Sequence, residues 1–164
     1  MKIFHRICTV PIVSGLFLIS CQNHPQKELQ KPQGKIIANP IVYEIIIKNP
    51  EPDNEWLTHC LKNTNRSFLI KKILTAVKNG HLKAYDYYDN HQLSQAEIST
   101  IIIENKLEKT TGKIQFVEDW YWDKDQLRLY KKVKKLMFGF EIYDSTGKLR
   151  GYKASFVVNL GKSD

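Results

Sequence analysis

The chain has 164 residues, enough for one domain with a real core, and carries 25 basic against 17 acidic side chains for a formal charge of +8. Lysines run along the whole sequence rather than in one tract, which reads as a solvated surface and, with the export signal below, excludes nucleic acid as a partner. An anionic membrane surface or an acidic cell-wall polymer stays open on charge alone.

In chain order, Lys2 and Arg6 form a positive n-region ahead of the mostly apolar stretch 7–19. That stretch is shorter than the ~20 residues that cross a bilayer and suits the h-region of a secretory signal. It ends Leu18-Ile19-Ser20-Cys21, a pattern similar to a bacterial lipobox: a small residue lets the signal peptidase reach the bond, and the Cys21 thiol takes the lipid. Residues 1–20 are therefore expected to be a lipoprotein signal peptide. Their loss removes two basic and no acidic residues and leaves 144 residues at +6. Cys8 leaves with the signal and Cys21 is acylated, so Cys60 alone remains and no intramolecular disulfide can form.

Residues 21–40, rich in Gln, Pro and Lys, read as the lipidated cysteine and a flexible tether, and residues 41–164 as a single globular domain. The β-branched run Ile41–Ile47 predicts a buried strand, 50–54 a loop, and 55–62 a short helix. Trp56, Leu57, Cys60 and Leu61 share a face of that helix, so Cys60 is expected to be a buried small hydrophobe. A nucleophilic Cys60 served by His59 is the alternative, disfavoured because helix neighbours point apart. Ser67 can cap a second helix with Ile70, Ile73, Leu74 and Val77 at i, i+3, i+4, i+7, closed by Gly80. A short strand is expected over 82–85. Ser94-Gln95-Ala96-Glu97 matches a capping box leading into Ile98, Ile101, Ile102 and Leu107, although Ile101-Ile102-Ile103 also suits a strand.

The last third is aromatic and aliphatic, with strands expected over 113–122, 127–143 and 149–160 and a turn at 144–148. In the last strand Tyr152, Ala154, Phe156 and Val158 alternate onto one side. The expected class is α+β, with helices in the N-terminal half packed on a C-terminal antiparallel sheet.

No arrangement in the sequence meets the requirements of a catalytic site, so a non-enzymatic protein without a cofactor is expected. His81, Asp86, Asp89 and His91 cluster in sequence, but their spacing matches no zinc or EF-hand pattern and the loop is ordinary turn chemistry; no metal site is assigned. Glu118-Asp119-Trp120-Tyr121-Trp122-Asp123 is the most unusual stretch. Alternation puts Trp120 and Trp122 on one face and Asp119, Tyr121 and Asp123 on the other. The expectation is aromatic packing in a core or interface with the acids facing solvent or a partner, which makes these six residues the candidate partner-binding site.

Three ordered stretches carry a family resemblance: Ile73–Asp86, a helix–Gly–strand segment; Val117–Lys124, which contains an EDW-x-x-D-K pattern; and Phe140–Gly151, a YD-x-x-G turn. Together they resemble the GldN family of gliding motility and type IX secretion, called PorN in secretion-only relatives. The resemblance implies a structural or adaptor subunit in the periplasm; with the lipobox above, which is more typical of the family's partner lipoprotein, the chain is expected to be a short, lipid-anchored paralogue. The resemblance further implies contact with a GldK/PorK-like ring lipoprotein and a GldM/PorM-like motor arm. Gln22 after Cys21 is compatible with release to the outer membrane. The alternative is a free-standing envelope lipoprotein that binds cell-wall polymer or a small ligand.

Overall fold

The computed structural model describes residues 34–161, which belong to one compact unit, Lys31–Asp164. The expected signal peptide and lipobox, with Cys21, lie outside the described residues. The α+β class holds: four helices accompany a five-stranded antiparallel sheet of order β1-β3-β4-β5-β2. The strands are β1 Lys35–Ile46, β2 Ala84–Asp86, β3 Thr111–Asp123, β4 Arg128–Tyr143 and β5 Leu149–Asn159. The helices are α1 Glu55–Leu61, α2 Arg66–Lys78, α3 Gln95–Glu104 and α4 Leu107–Thr110. One strand, β1, precedes all the helices, and it begins at Lys35, inside the segment read as tether. Pro40 is tolerated there because β1 is an edge, where a missing N–H costs no ladder bond. Two register shifts between Ile36 and Ile41 break the alternation that would have marked the strand.

The apolar stripe of α2 forms as its spacing requires, with Ile70, Ile73, Leu74 and Val77 all buried. Its start differs from expectation: Asn65, not Ser67, caps the helix, accepting a bond from the Phe68 N–H at 3.1 Å. Its end is a Schellman motif. Gly80 at φ +73° lets its own N–H reach Val77 O at 3.0 Å and the His81 N–H reach Ala76 O at 2.9 Å. The capping box at α3 is complete, with Ser94 and Glu97 each bonding the other's backbone N–H. Arg66 ties the start of α2 to the end of α4, donating to the carbonyls of Thr111, Glu108 and Lys109 at 2.8, 3.1 and 2.9 Å.

Helices α2, α3 and α4 bury their stripes against one face of the sheet, where Ile114, Leu136, Phe138, Phe140, Phe156 and Val158 meet them. Among the described residues α1 buries nothing. Trp56 is 74% exposed and Cys60 is exposed, which corrects the expectation of a buried Cys60. Of the face predicted for α1, Leu57 and Leu61 are half-buried while Trp56 and Cys60 remain exposed.

A second correction concerns β5. Met137 pairs with Val157 but Gly139 pairs with Ala154, so β5 carries one extra residue between them. The bulge puts Phe156 and Val158 on the helix-covered face and turns Tyr152 and Ala154 to the other. On that far face the Tyr152 ring lies over Gly112: an added Cβ there would sit 2.7 Å from the ring and 3.0 Å from a Glu141 oxygen. Gly112→Ala is therefore expected to cost about 1–3 kcal/mol in urea unfolding, as overpacking does. Gly161→Ala, with nothing within 4 Å, should be neutral.

Candidate functional site

The hairpin β3–β4 is longer than the helices cover. Its outer half, from Glu118 to Val133, projects past the packed core and carries all six residues singled out in the sequence. Cross-strand pairs set the faces. Glu118 is opposite Val133, Trp120 opposite Lys131, Trp122 opposite Leu129, and on the other side Tyr121 is opposite Tyr130. The alternation of Trp120 and Trp122 against Asp119, Tyr121 and Asp123 follows the period-two reading.

The fate of the acids does not. Glu118, Asp119 and Asp123 are buried, at 3%, 6% and 6% exposure, and each has an internal partner. Both Glu118 oxygens accept hydrogen bonds, from the Tyr43 hydroxyl on β1 and from the Trp120 indole N–H, each at 2.9 Å. The Lys131 ammonium lies 4.5 Å from the Trp120 ring centroid and 5.6 Å from that of Tyr43, a cation–π contact with both. Asp119 pairs with Lys134, which sits at a bulge in β4, at 3.4 Å. Asp123 organises the turn, accepting from the backbone N–H groups of Asp125 and Gln126 at 2.9 and 3.0 Å. The acids thus build the hairpin rather than face a partner.

The two tryptophans separate accordingly. Trp120 is half-buried and held at its nitrogen, whereas Trp122 is 40% exposed. Beyond Trp122 the turn presents Leu127, 74% exposed and at φ +51°. A branched residue in the left-handed region costs about 1–2 kcal/mol, and glycine or asparagine usually takes such a position. Sequence reading missed this tip. It also missed that the strand feeding the tip gathers lysines, since residues 124–135 hold six basic side chains and one acid. The signal was present in Lys131-Lys132-Val133-Lys134-Lys135, which departs from an even spread.

The loop after β2 brings together three of the four clustered residues. Ligand atoms of Asp86, Asp89 and His91 lie within 4.8 Å of one another, and His81 is not among them. Asp86 accepts from the N–H groups of Tyr88 and Asp89, and Asp89 accepts from both the backbone and Nδ1 of His91. His91 Nε2 also lies 3.7 Å from Glu97, the capping acid of α3. These are turn-forming contacts. On the far face of the sheet a cavity of about 290 Å³ is lined by Tyr87, Tyr88, Tyr152 and the Glu44–Lys113 pair, bonded at 2.8 Å.

No protein-family description matches this chain, and no curated protein matches it either.

Two outcomes test this geometry. Burial and the bond to Glu118 raise the Tyr43 phenol above 10.0, so the stability it adds is present below pH 10 and lost as pH rises through the higher folded value. Tyr43→Phe should cost about 1–2 kcal/mol at pH 7 and remove that alkaline dependence. For His91, the side-chain bond to Asp89 raises its pKa above 6.5, and the bonds Asp89 accepts from the His91 backbone N–H and then from its imidazole lower Asp89 below 3.8. The contact is therefore at full strength between those values, weakening as pH falls through the Asp89 value or rises through the His91 value. An NMR titration of His91 should show the raised pKa, and Asp89→Asn should return it toward 6.5.

Proposed function

We propose that this protein is a non-catalytic, lipid-anchored subunit of the bacterial cell envelope that works through protein–protein contacts, in the manner of the GldN/PorN subunits it resembles. The observation that carries this reading is the outer half of the β3–β4 hairpin. Among the described residues no helix packs on it, and it offers Trp120, held at its indole N–H by Glu118, inside the stretch where the resemblance is densest. Fixed aromatic side chains at the centre of an exposed surface are what interface hot spots use, because little side-chain entropy is left to lose on binding. The edge strand β1 adds an open row of backbone groups beside Tyr43, suited to pairing with a strand of a ring lipoprotein or a motor arm. The lipid on Cys21 supplies the membrane attachment, on the periplasmic side of the outer membrane. Among the described residues no helix is long and apolar enough to cross a membrane.

A second reading, an independent lipoprotein that binds a cell-wall polymer or small ligand, draws support from the tyrosine-lined cavity on the far face. The two are separated by co-purification. The detergent-extracted wild type should bring down a ring lipoprotein or motor component, identified by mass spectrometry. Cys21→Ala should leave an unprocessed or soluble product without incorporated palmitate. Trp120→Ala should lower Tm, whereas Trp122→Ala should leave Tm near wild type. Recovery of the wild type with no secretion or gliding component contradicts the adaptor reading and promotes the ligand-binding one.

A further inference from the structure

The end of the hairpin has features that the adaptor reading leaves unused. Its apolar residues are Trp122, Leu127 and Leu129, at 40%, 74% and 44% exposure. Around them stand the exposed cations Lys35, Lys124 and Arg128. Lys35 is opposite Trp122, and Trp122 is opposite Leu129, so three strands place a cation, an indole and an aliphatic side chain in one row. Leu127 caps this row from a left-handed turn position where a smaller residue would be less strained. Asp125 is the single acid in residues 124–135, against six basic residues.

Where the chain enters the domain decides the occupant. Lys35 opens β1, and β1 runs alongside β3 with its first residue at the hairpin tip. The connection to Cys21 is therefore made at the tip, not at the helix-covered end. The 14 links from Cys21 to Lys35 reach at most about 50 Å when extended. A coil of that length averages on the order of 20 Å. An anchor at Cys21 would tether the domain by its tip. Tryptophan with lysine and arginine is the composition that settles at the headgroup boundary, the ring among the acyl ends and the cations on lipid phosphates.

We propose that the β3–β4 tip docks on an anionic phospholipid surface, with Trp122, Leu127 and Leu129 entering the interface while Lys35, Lys124 and Arg128 contact lipid phosphates. The proposal rests on the lipid-anchor reading for its geometry. Docking at the tip would fix the orientation of the domain on the membrane and leave the Trp120 face and the β1 edge turned sideways, available to a protein partner.

The test uses the full-length protein purified from membranes, whose intact mass reports acylation independently of the tip. It is reconstituted into phosphatidylethanolamine–phosphatidylglycerol vesicles with brominated acyl chains, which quench indoles at the interface. Wild-type fluorescence should be quenched, and the quenching should vanish in Trp122→Phe although Trp56 and Trp120 remain. Lys124→Gln with Arg128→Gln, or replacement of phosphatidylglycerol by phosphatidylcholine, should lower the docked-to-undocked ratio roughly tenfold. Leu127→Gly should weaken quenching with Tm unchanged or higher, because it relieves the turn; this separates docking from folding. An acylated protein whose indoles are untouched by brominated lipid overturns the proposal and leaves the anchor intact, with the tip then facing a protein. A protein without acyl mass overturns the anchor reading instead. In that case quenching by added anionic vesicles still supports tip docking, and none overturns it.

Discussion

The outer hairpin depends on one buried carboxylate. Glu118 is removed from water, which is costly for a charge unless its oxygens are bonded. Tyr43 and Trp120 supply those bonds, one from the neighbouring strand and one from two residues along the same strand. Lys131 sets a positive charge above both rings. The arrangement joins the edge strand β1 to the hairpin at a level where no helix supports the sheet. Without it, the Trp120 ring would lose the bond that fixes it, and this face of the hairpin would lose its fixed shape.

The division of labour along the sheet follows from this. At one end, the stripes of α2, α3 and α4 and the large residues of β3, β4 and β5 form an ordinary dry core. At the other, polar and aromatic groups satisfy each other in a thin layer: Glu118 with Trp120, Asp119 with Lys134, Asp123 with its turn. The first end provides stability. The second provides surface, and its tip is where the chain arrives from the lipid-modified cysteine of the proposed anchor.

What the sequence revealed and what it hid divide along physical lines. Local rules worked where they were sufficient. The 3.6-residue period of Ile70, Ile73, Leu74 and Val77, the Ser94–Glu97 box and the Gly80 stop each depend on residues a few positions apart, and all appear in the fold. The hidden features needed long-range partners. That Glu118 is buried follows from Tyr43, 75 positions away, and alternation alone cannot supply it. Cys60 lies on the expected apolar face of α1, but only Leu57 and Leu61 of that face are half-buried, and Cys60 stays exposed. The start of β1 was obscured by shifted register and a proline that only an edge strand accepts. The bulge in β5 reversed two side chains that simple alternation had kept with Phe156, because one extra residue changes the face of all that precede it.

The measurement that bears most directly on this account is hydrogen exchange of the three indole N–H groups, followed by ¹⁵N-edited NMR in the native protein. Trp120 donates to a buried carboxylate, while Trp56 and Trp122 have exposed rings. The Trp120 signal should exchange far more slowly than the other two, and Glu118→Gln should shift it and speed its exchange with little effect on theirs. Equal exchange at all three indoles, or a Trp120 signal indifferent to Glu118→Gln, would contradict the central role given to that carboxylate.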